Sequence, residues 1–283
     1  MRTYLAEFLS DPRVVELPRF LWLPILYGII LNTRPARSAE KYRAIWTPEG
    51  SPLAVHTKRQ AALLQKILPG EKVEYAMRYG EPSISSVLKR LDPAIVIPLY
   101  PQYSHSTTGS IVDLLPGRNV VKDFHDHPAY LAALASSIEK HWATNGRGEK
   151  LVMSFHGLPQ RAVDRGDPYQ SQCLRTAQLL SEKLNLSKHQ FIVTFQSRFG
   201  AAKWLQPYTE PTLVGLARSG IRHVDIVCPG FVSDCLETLE EIGIGARQAF
   251  TQAGGGAFHL IACLNESPEW IAALAAISGR EGP

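Results

Sequence analysis

Short apolar runs alternate with helical patterns through the second half of this chain. The runs are rich in β-branched and aromatic residues, which is typical of buried strands. They lie at Lys150–Phe155, Phe191–Gln196, Val224–Cys228 and Phe258–Cys263. Helical patterns lie between and after them, at Tyr169–Leu184, after Thr209, from Ser233 to about Ala253, and at Pro268–Ile277. Strands separated by helices predict a parallel, doubly wound sheet.

The first half shows the same alternation of strand and helix patterns, but with three strand candidates instead of four. Its strand candidates are 72–77, 94–99 and 119–124, and its helix candidates are Thr57–Leu68 and Ser83–Leu91. The chain begins inside a helical pattern, with no apolar run before it. We therefore predict an α/β fold of two similar domains, residues 1–127 and 128–283, each built on a parallel sheet. The first sheet is expected to lack its opening strand, and the last helix to pack back on the first domain.

Composition and charge exclude several classes of protein. The 283 residues are 45% hydrophobic and 20% charged, which suits two globular domains of ordinary size. A net charge of +4, without a stripe of Lys and Arg, argues against nucleic acid as a partner. The four cysteines are widely spaced, which argues against a disulfide scaffold and a structural zinc site and indicates a reducing, cytoplasmic compartment. No GxGxxG follows a strand and no phosphate-binding loop is present, so a nucleotide enzyme is not expected.

The segment Phe20–Leu31 reads FLWLPILYGIIL. Its roughly 12 apolar residues fall short of the 20 or so that a membrane-spanning helix needs, and Pro24 and Gly28 interrupt it. The residues leave two interpretations open. The segment is either buried, or it is an apolar lip that contacts a membrane surface or a flat hydrophobic ligand.

Polar and aromatic residues follow the carboxyl ends of the predicted strands, where open α/β sheets bind ligands. They are Arg78-Tyr79-Gly80, Tyr100–Ser104, His156-Gly157, Gln196-Ser197-Arg198 and Pro229-Gly230-Phe231. We expect them to converge on one cleft between the domains. His156 either caps a turn, accepts a proton near pH 7, or binds a divalent transition metal, and nothing local decides among these roles.

Three carboxylates recur along the helix that is predicted after Ser233. Asp234, Glu237 and Glu241 are spaced i, i+3 and i+7, which places them on one helix face. This face is either solvated or turned into the cleft, where it would pass protons or guide a hydrated cation. The cluster His125-Asp126-His127 is interpreted as helix-start chemistry, with Asp126 at the positive end of the helix.

Several sequence blocks resemble the signatures of the ferrochelatase family, in its order and with its spacing. They are SFHGLPQ (154–160), RGDPYQSQC (165–173), FQSRFGAAKWLQPYT (195–209), CPGFVSDCLETLEEI (228–242), MRYGEPSI (77–84) and YPQYSHSTTGS (100–110). The resemblance covers nearly the whole chain. It implies two Rossmann-like, chelatase-type domains with a porphyrin cleft between them. It also implies that ferrous iron is inserted into protoporphyrin as a substrate, without an organic cofactor.

The resemblance assigns roles to individual residues. His156 and Glu237 match the family's histidine and glutamate; one guides the metal and the other removes the pyrrole protons, and either order has been argued. Glu241 is expected beside them at the metal. The porphyrin contacts of the family match Arg78, Tyr79, Tyr103, Ser197 and Trp204. Residues 20–31 match the family's active-site lip, which favours the second interpretation of that segment and suggests peripheral membrane contact.

The chain departs from the family pattern in three places. It starts after the family's opening strand, Gly245 stands where the acidic row usually continues, and the loops around 91–95 and 115–119 are short. These departures leave a rival hypothesis, a chelatase relative that binds porphyrin or heme without turnover. Insertion of cobalt or nickel into a related tetrapyrrole suits the architecture but not the motifs. We expect no iron–sulfur cluster, either a monomer or a homodimer, and a cytoplasmic protein at the inner face of the cell membrane.

Overall fold

The computed structural model describes residues 1–15 and 17–280. Its regular strands lie in the second half of the chain, at β1 (Lys150–His156), β2 (Phe191–Gln196), β3 (His223–Val227) and β4 (Ala257–Leu260). All three strand pairs are parallel, and the order across the sheet is β2-β1-β3-β4. The predicted α/β fold with a four-stranded parallel sheet is therefore confirmed.

Helices make up most of the remaining regular structure. Those of the first half are α1 (Arg2–Ser10), α2 (Arg19–Ile25), α3 (Leu31–Ile45), α4 (Pro52–Ile67), α5 (Ile84–Leu88) and α6 (Thr108–Val112), with a π-helical turn, π1 (Leu26–Ile30), between α2 and α3. Those of the second half are α7 (Pro128–Asn145), α8 (Gln160–Asp164), α9 (Tyr169–Lys183), α10 (Thr209–Arg218), α11 (Arg247–Gln252) and α12 (Pro268–Ile277), with a longer π-helix, π2 (Glu237–Ala246), before α11. Among the described residues, none of these helices has both the length and the apolar character that crossing a membrane requires.

The predicted first-half strands differ from the structure. Within the described residues, 72–77, 94–99 and 119–124 do not form regular strands. One parallel bridge, Val96 to Val120, is what remains of their pairing. In the second-half sheet the first strand, β1, lies in the centre between its two neighbours. An equivalent first-half strand would lie between 72–77 and 94–99, and none of the regular strands of the described residues lies there. These two segments are therefore not joined through a central strand as β2 and β3 are.

One hydrophobic core joins the two halves. Helix α12 packs against both α4 and α7. Its Trp270 is completely buried, and the ring lies 5.8 Å from that of Phe124 and 6.2 Å from that of Tyr130. Ser267 caps the helix through a hydrogen bond from the Trp270 backbone N–H to its hydroxyl, as the Ser-Pro start predicts. The last helix therefore lies on first-half structure, and the core is continuous across residue 127.

The carboxyl ends of β1 and β2 approach each other unusually closely. The Gly157 backbone N–H donates to the Gln196 carbonyl at 2.7 Å. A Cβ atom at Gly157 would lie 2.5 Å from that carbonyl oxygen and 3.1 Å from the Trp204 ring. Only glycine fits this position, because neither the backbone nor the packed indole can move away.

We expect Gly157→Ala to lower the free energy of unfolding by about 1–3 kcal/mol, the usual range for overpacking a dense region. Urea unfolding followed by circular dichroism measures the change. Gly215→Ala in α10 is the matched control, because nothing lies within 4 Å of its added Cβ atom. The control should be neutral or stabilising by about 0.5–1 kcal/mol. Equal effects of the two substitutions would contradict the close approach.

Candidate active site

His156 is the last residue of β1, at the carboxyl edge of the sheet. The strand before it is almost entirely buried, which fixes where the side chain emerges. Its Nδ1 atom lies 2.6 Å from the Gly157 carbonyl oxygen. A carbonyl can only accept, so Nδ1 carries a proton, and in the neutral form of the ring the lone pair is on Nε2. Nε2 is therefore able to accept a proton or bind a metal ion, while the aromatic ring of Phe231 lies 6.4 Å away.

Gln196 ties the acidic helix to this edge. It is paired in register with His156 across β1 and β2, and only 4% of it is exposed. Its amide Nε2 donates to the backbone carbonyl of Glu237 at 2.8 Å. Its Oε1 accepts from the Ser154 hydroxyl at 2.8 Å, which fixes the orientation of the amide. The start of π2 is thereby held beside β2, the strand next to the one that carries His156.

The Glu237 carboxylate faces phenol groups from the first half of the chain. Burial and the Glu237 charge together raise the pKa of Tyr42 to about 12. The pKa of Tyr100 is also raised, by burial first and by Glu237 second. Burial raises the pKa of Tyr4, and the neighbouring Tyr42 and Glu237 add to that shift. These phenols therefore stay protonated at neutral pH and are hydrogen-bond donors near the carboxylate.

Glu241 is held by the loop that follows β2. Its Oε1 accepts from the Ser197 backbone N–H, and its Oε2 accepts from the Ser197 hydroxyl, each at 2.6 Å. Ser197 has a φ of 63°, a left-handed conformation that is uncommon for a serine. The strained turn aims both of its donors at one carboxylate. Ser197 and Glu241, both predicted site residues, are thus in direct contact.

The predicted row of three carboxylates is wrong. Asp234 precedes the helix, which starts at Glu237 and is a π-helix rather than an α-helix. Asp234 is buried and accepts from the Thr238 hydroxyl at 2.9 Å and the Asn265 amide at 2.6 Å. These bonds hold Asp234 before the start of the helix, so the helix itself carries only Glu237 and Glu241 of the three carboxylates.

The His125-Asp126-His127 cluster also differs in detail from the prediction. The residue that caps α7 is His127, whose Nδ1 accepts from the Ala129 backbone N–H at 3.3 Å. His125 instead contacts Asp123, with 2.7 Å between Nδ1 and Oδ1. That contact lowers the pKa of the Asp123 carboxyl.

Arg78 and Tyr79 lie in a cleft formed with α1. The Arg78 guanidinium forms an ion pair with Asp11 and donates to the Ser110 hydroxyl at 2.9 Å. The Tyr79 hydroxyl donates to the same Asp11 carboxylate at 2.8 Å. The cleft has a volume of about 570 Å³. Of the described residues, its wall includes Arg78 and Tyr79 but neither His156 nor Glu237.

Trp204 and Tyr103 occupy different surroundings. Trp204 packs on Gly157, next to His156, and its buried indole Nε1 has no hydrogen-bond partner among the described residues. Tyr103 donates its backbone N–H to the Gln172 amide oxygen at 2.6 Å, and its ring lies edge-on to that of His105. The predicted residues therefore form one group at the sheet edge, around His156, and a second group in the cleft, around Arg78.

Helices α1 and α3, together with Asp11 directly after α1, supply residues that the sequence patterns did not indicate. Asp11 holds both Arg78 and Tyr79, and Tyr4 and Tyr42 face Glu237. Lys41 of α3 forms a 2.8 Å ion pair with Glu240 of π2. The periodic apolar pattern of α1 predicts a helix but not what it covers. No local signal identifies these residues, because their partners lie far away in the sequence.

The family model described as Ferrochelatase matches residues 1–281 of the chain. A ferrochelatase of Polaromonas sp. strain JS666 is 55% identical, over 99% of this chain and 82% of the relative. One from Methylibium petroleiphilum is 56% identical, with the same two coverages. One from Bordetella pertussis is 51% identical, over 99% of this chain and 83% of the relative.

Solved structures show the same fold at much lower sequence identity. CbiX, described as the terminal enzyme for biosynthesis of siroheme in denitrifying bacteria, has a TM-score of 0.55 at 18% identity, covering 85% of this chain and 92% of that one. SirB from Bacillus subtilis with Fe³⁺ has a TM-score of 0.54 at 16% identity, covering 81% and 91%. These two likenesses establish the chelatase type of fold, and the sequence matches establish the kinship: this chain belongs to the ferrochelatase family.

Proposed function

We propose that this chain inserts ferrous iron into protoporphyrin IX and so forms protoheme in heme biosynthesis. Full-length similarity to ferrochelatases at about 55% identity supports the reaction. The observation that supports the site is the Gln196 bridge, which joins the start of π2, at Glu237, to the strand neighbouring His156. Metal insertion needs a base that accepts the pyrrole protons and a carboxylate that guides the cation, and here the two lie on adjoining elements.

The reaction exchanges two pyrrole protons for one Fe²⁺ ion, which loses its bound water as it enters the ring. The porphyrin therefore needs a proton acceptor, and the hydrated cation needs a negative guide. His156 offers a neutral Nε2 lone pair, because its Nδ1 proton is held by the Gly157 carbonyl. Glu237 offers a carboxylate near protonated phenols. We propose that these two side chains divide the two duties, and that Glu241 stands next along the path of the cation.

The remaining predicted residues are proposed to bind the ring. Trp204 presents an indole beside His156, and flat aromatic surfaces suit stacking on a macrocycle. Ser197 is proposed to act at the ring edge together with Glu241. Arg78 and Tyr79 in the cleft, with Tyr103 nearer the His105 loop, are proposed to meet the propionate side. Binding energy from such contacts would hold the ring in a distorted form closer to the transition state.

We expect His156→Ala and Glu237→Ala each to lower kcat by at least about 100-fold, the usual loss when a proton-transfer group is removed. The measurement is anaerobic insertion of Fe²⁺, and of Zn²⁺, into protoporphyrin, followed by absorption. His189→Ala and Glu182→Ala are matched controls, because both residues are exposed and belong to the second half. The controls should keep wild-type activity. Full activity of both site variants would show that the assignment is wrong.

The binding-only hypothesis makes a different prediction for the wild-type chain. Under it, porphyrin fluorescence would be quenched by tight binding while no metal enters the ring. The family comparisons favour insertion. Tight binding without turnover in the same assay would overturn the proposed function.

We further propose that residues 20–31 contact the surface of an acidic membrane at the cytoplasmic face. Several large apolar side chains on α2 and π1 are exposed rather than buried. They are Phe20 (77% exposed), Leu21 (55%), Ile25 (42%), Tyr27 (51%) and Ile29 (57%). A cluster of this kind is unusual on a monomeric surface and typical of an interaction site. The net charge of +4 favours anionic lipid, and four free cysteines suit a reducing compartment.

We expect the double variant Phe20→Ser with Ile29→Ser to weaken binding to vesicles of phosphatidylglycerol and phosphatidylcholine roughly tenfold, because less apolar area is buried. Co-sedimentation measures the binding. Leu174→Ser in α9 is the control, since Leu174 is 48% exposed but lies outside the segment. Unchanged vesicle binding by the double variant, or none by the wild type, would refute membrane contact through this segment.

A further inference from the structure

A cluster of histidines surrounds one carboxylate at the amino-terminal half of the sheet. Asp225 lies in β3 and is 1% exposed, His259 is its register partner in β4, and His141 reaches it from α7. His223 begins β3 on the same side. None of these four residues is among the residues assigned to the proposed active site.

The distances among their atoms match a metal coordination shell. Asp225 Oδ1 lies 3.2 Å from His223 Nε2, 3.4 Å from His259 Nδ1 and 3.9 Å from His141 Nε2. Two ligands bound tetrahedrally at zinc distances are separated by about 3.3 Å. Ligand atoms of His141, Asp225 and His259 all lie within 4.8 Å of one another. Small movements would place them around one ion.

Two buried atoms of the cluster, Asp225 Oδ1 and His141 Nε2, make no hydrogen bond of good geometry with the described residues. His223 Nε2 lies within reach of Asp225 Oδ1, at 3.2 Å, but it lies closer to His259 Nδ1, at 3.0 Å. The other oxygen of the carboxylate, Oδ2, accepts from the Trp142 indole and the Gly148 backbone, each at 2.7 Å. These bonds orient the carboxylate and leave Oδ1 facing the imidazoles. Leaving such atoms unpaired costs free energy, and one cation bound between them would satisfy both.

We infer that His141, Asp225 and His259 bind a divalent transition metal of the zinc class, with His223 beside them as a fourth donor. Imidazole and carboxylate are the ligands these ions prefer. The Asn145 side-chain Nδ2 atom lies 3.2 Å from Nδ1 of His141 and donates to the His141 carbonyl oxygen at 3.1 Å, so Asn145 contacts both the ring and the backbone of this residue. The wide spacing of the cysteines argues against a zinc site built from cysteines, but it does not apply to a site whose ligands are histidine and aspartate.

This site is separate from the proposed active site. Asp225 pairs with Leu151 of β1, whereas His156 lies at the far end of that strand. The two positions are about 16 Å apart along the strand. The ion would join α7, β3 and β4, which suits a structural role. The inference does not depend on the proposed function.

The test is metal binding by chelator-treated protein. Cobalt(II) absorption bands report the ligand field, and equilibrium dialysis against Zn²⁺ gives the affinity. We expect His259→Gln to weaken the tight site at least about 100-fold, since loss of even a supporting group costs 10–100-fold. His156→Ala should leave it unchanged, and so should the exposed control His189→Gln. Zn²⁺ should raise the Tm of the wild type and of His156→Ala, but not of His259→Gln.

His259 is the residue to replace because it is 31% exposed, whereas the buried Asp225 also holds Trp142 and Gly148. His141→Gln is the second variant, should the first fold poorly, and the same loss is expected. A cobalt signal that survives both substitutions and vanishes with His156→Ala would place the metal in the active site alone. If His156→Ala binds no metal, the cluster is a hydrogen-bonded histidine network and the inference is wrong.

Discussion

The parallel pairing of β1 with β2 determines where the reactive side chains lie. It sets His156 and Gln196 side by side at one edge of a buried sheet. Gln196 then uses both ends of its amide, accepting from Ser154 within the sheet and donating to the Glu237 backbone outside it. A buried amide with both ends satisfied is rigid, because turning it would leave polar atoms unpaired. The start of the acidic helix is therefore positioned through its backbone, while the Glu237 carboxylate lies near the phenols of Tyr42 and Tyr100.

Among the described residues, the first half of the chain packs helix α3 against the acidic helix and forms no second regular sheet. Helices α1 and α3 bring Tyr4 and Tyr42 against the acidic helix, and the Lys41–Glu240 ion pair ties α3 to it. Exposed ion pairs of this kind contribute little stability by themselves. The stronger attachment between the halves is the buried packing of α12 on α4 and α7. The two halves are therefore coupled through their core, while the site is closed by helices that carry few buried side chains.

Sequence patterns predicted the second half well because its elements depend on local and pairwise signals. The four apolar runs, the Ser267 cap and the strand-end position of His156 all follow from periodicity and capping chemistry. The failures occurred where the outcome depends on absent or distant partners. The segment 72–77 has strand composition, but it lacks a central neighbour to pair with. The spacing of Asp234 assumed an α-helix, whereas Asn265, distant in sequence, holds that side chain at the start of a π-helix. The role of Asp11 was likewise invisible because Arg78 and Tyr79 are far from it in the chain.

The measurement that tests the account most directly is the effect of Gln196→Met on turnover and on porphyrin affinity, measured on the same folded protein. If the Gln196 amide positions Glu237 beside His156, kcat for metal insertion should fall at least about tenfold, as it does when reacting groups are misplaced. The porphyrin Kd from fluorescence titration should change less than about twofold, because the ring-binding side chains are untouched. An unchanged kcat in a variant that lacks the bridge would contradict the claim that this hydrogen bond assembles the site.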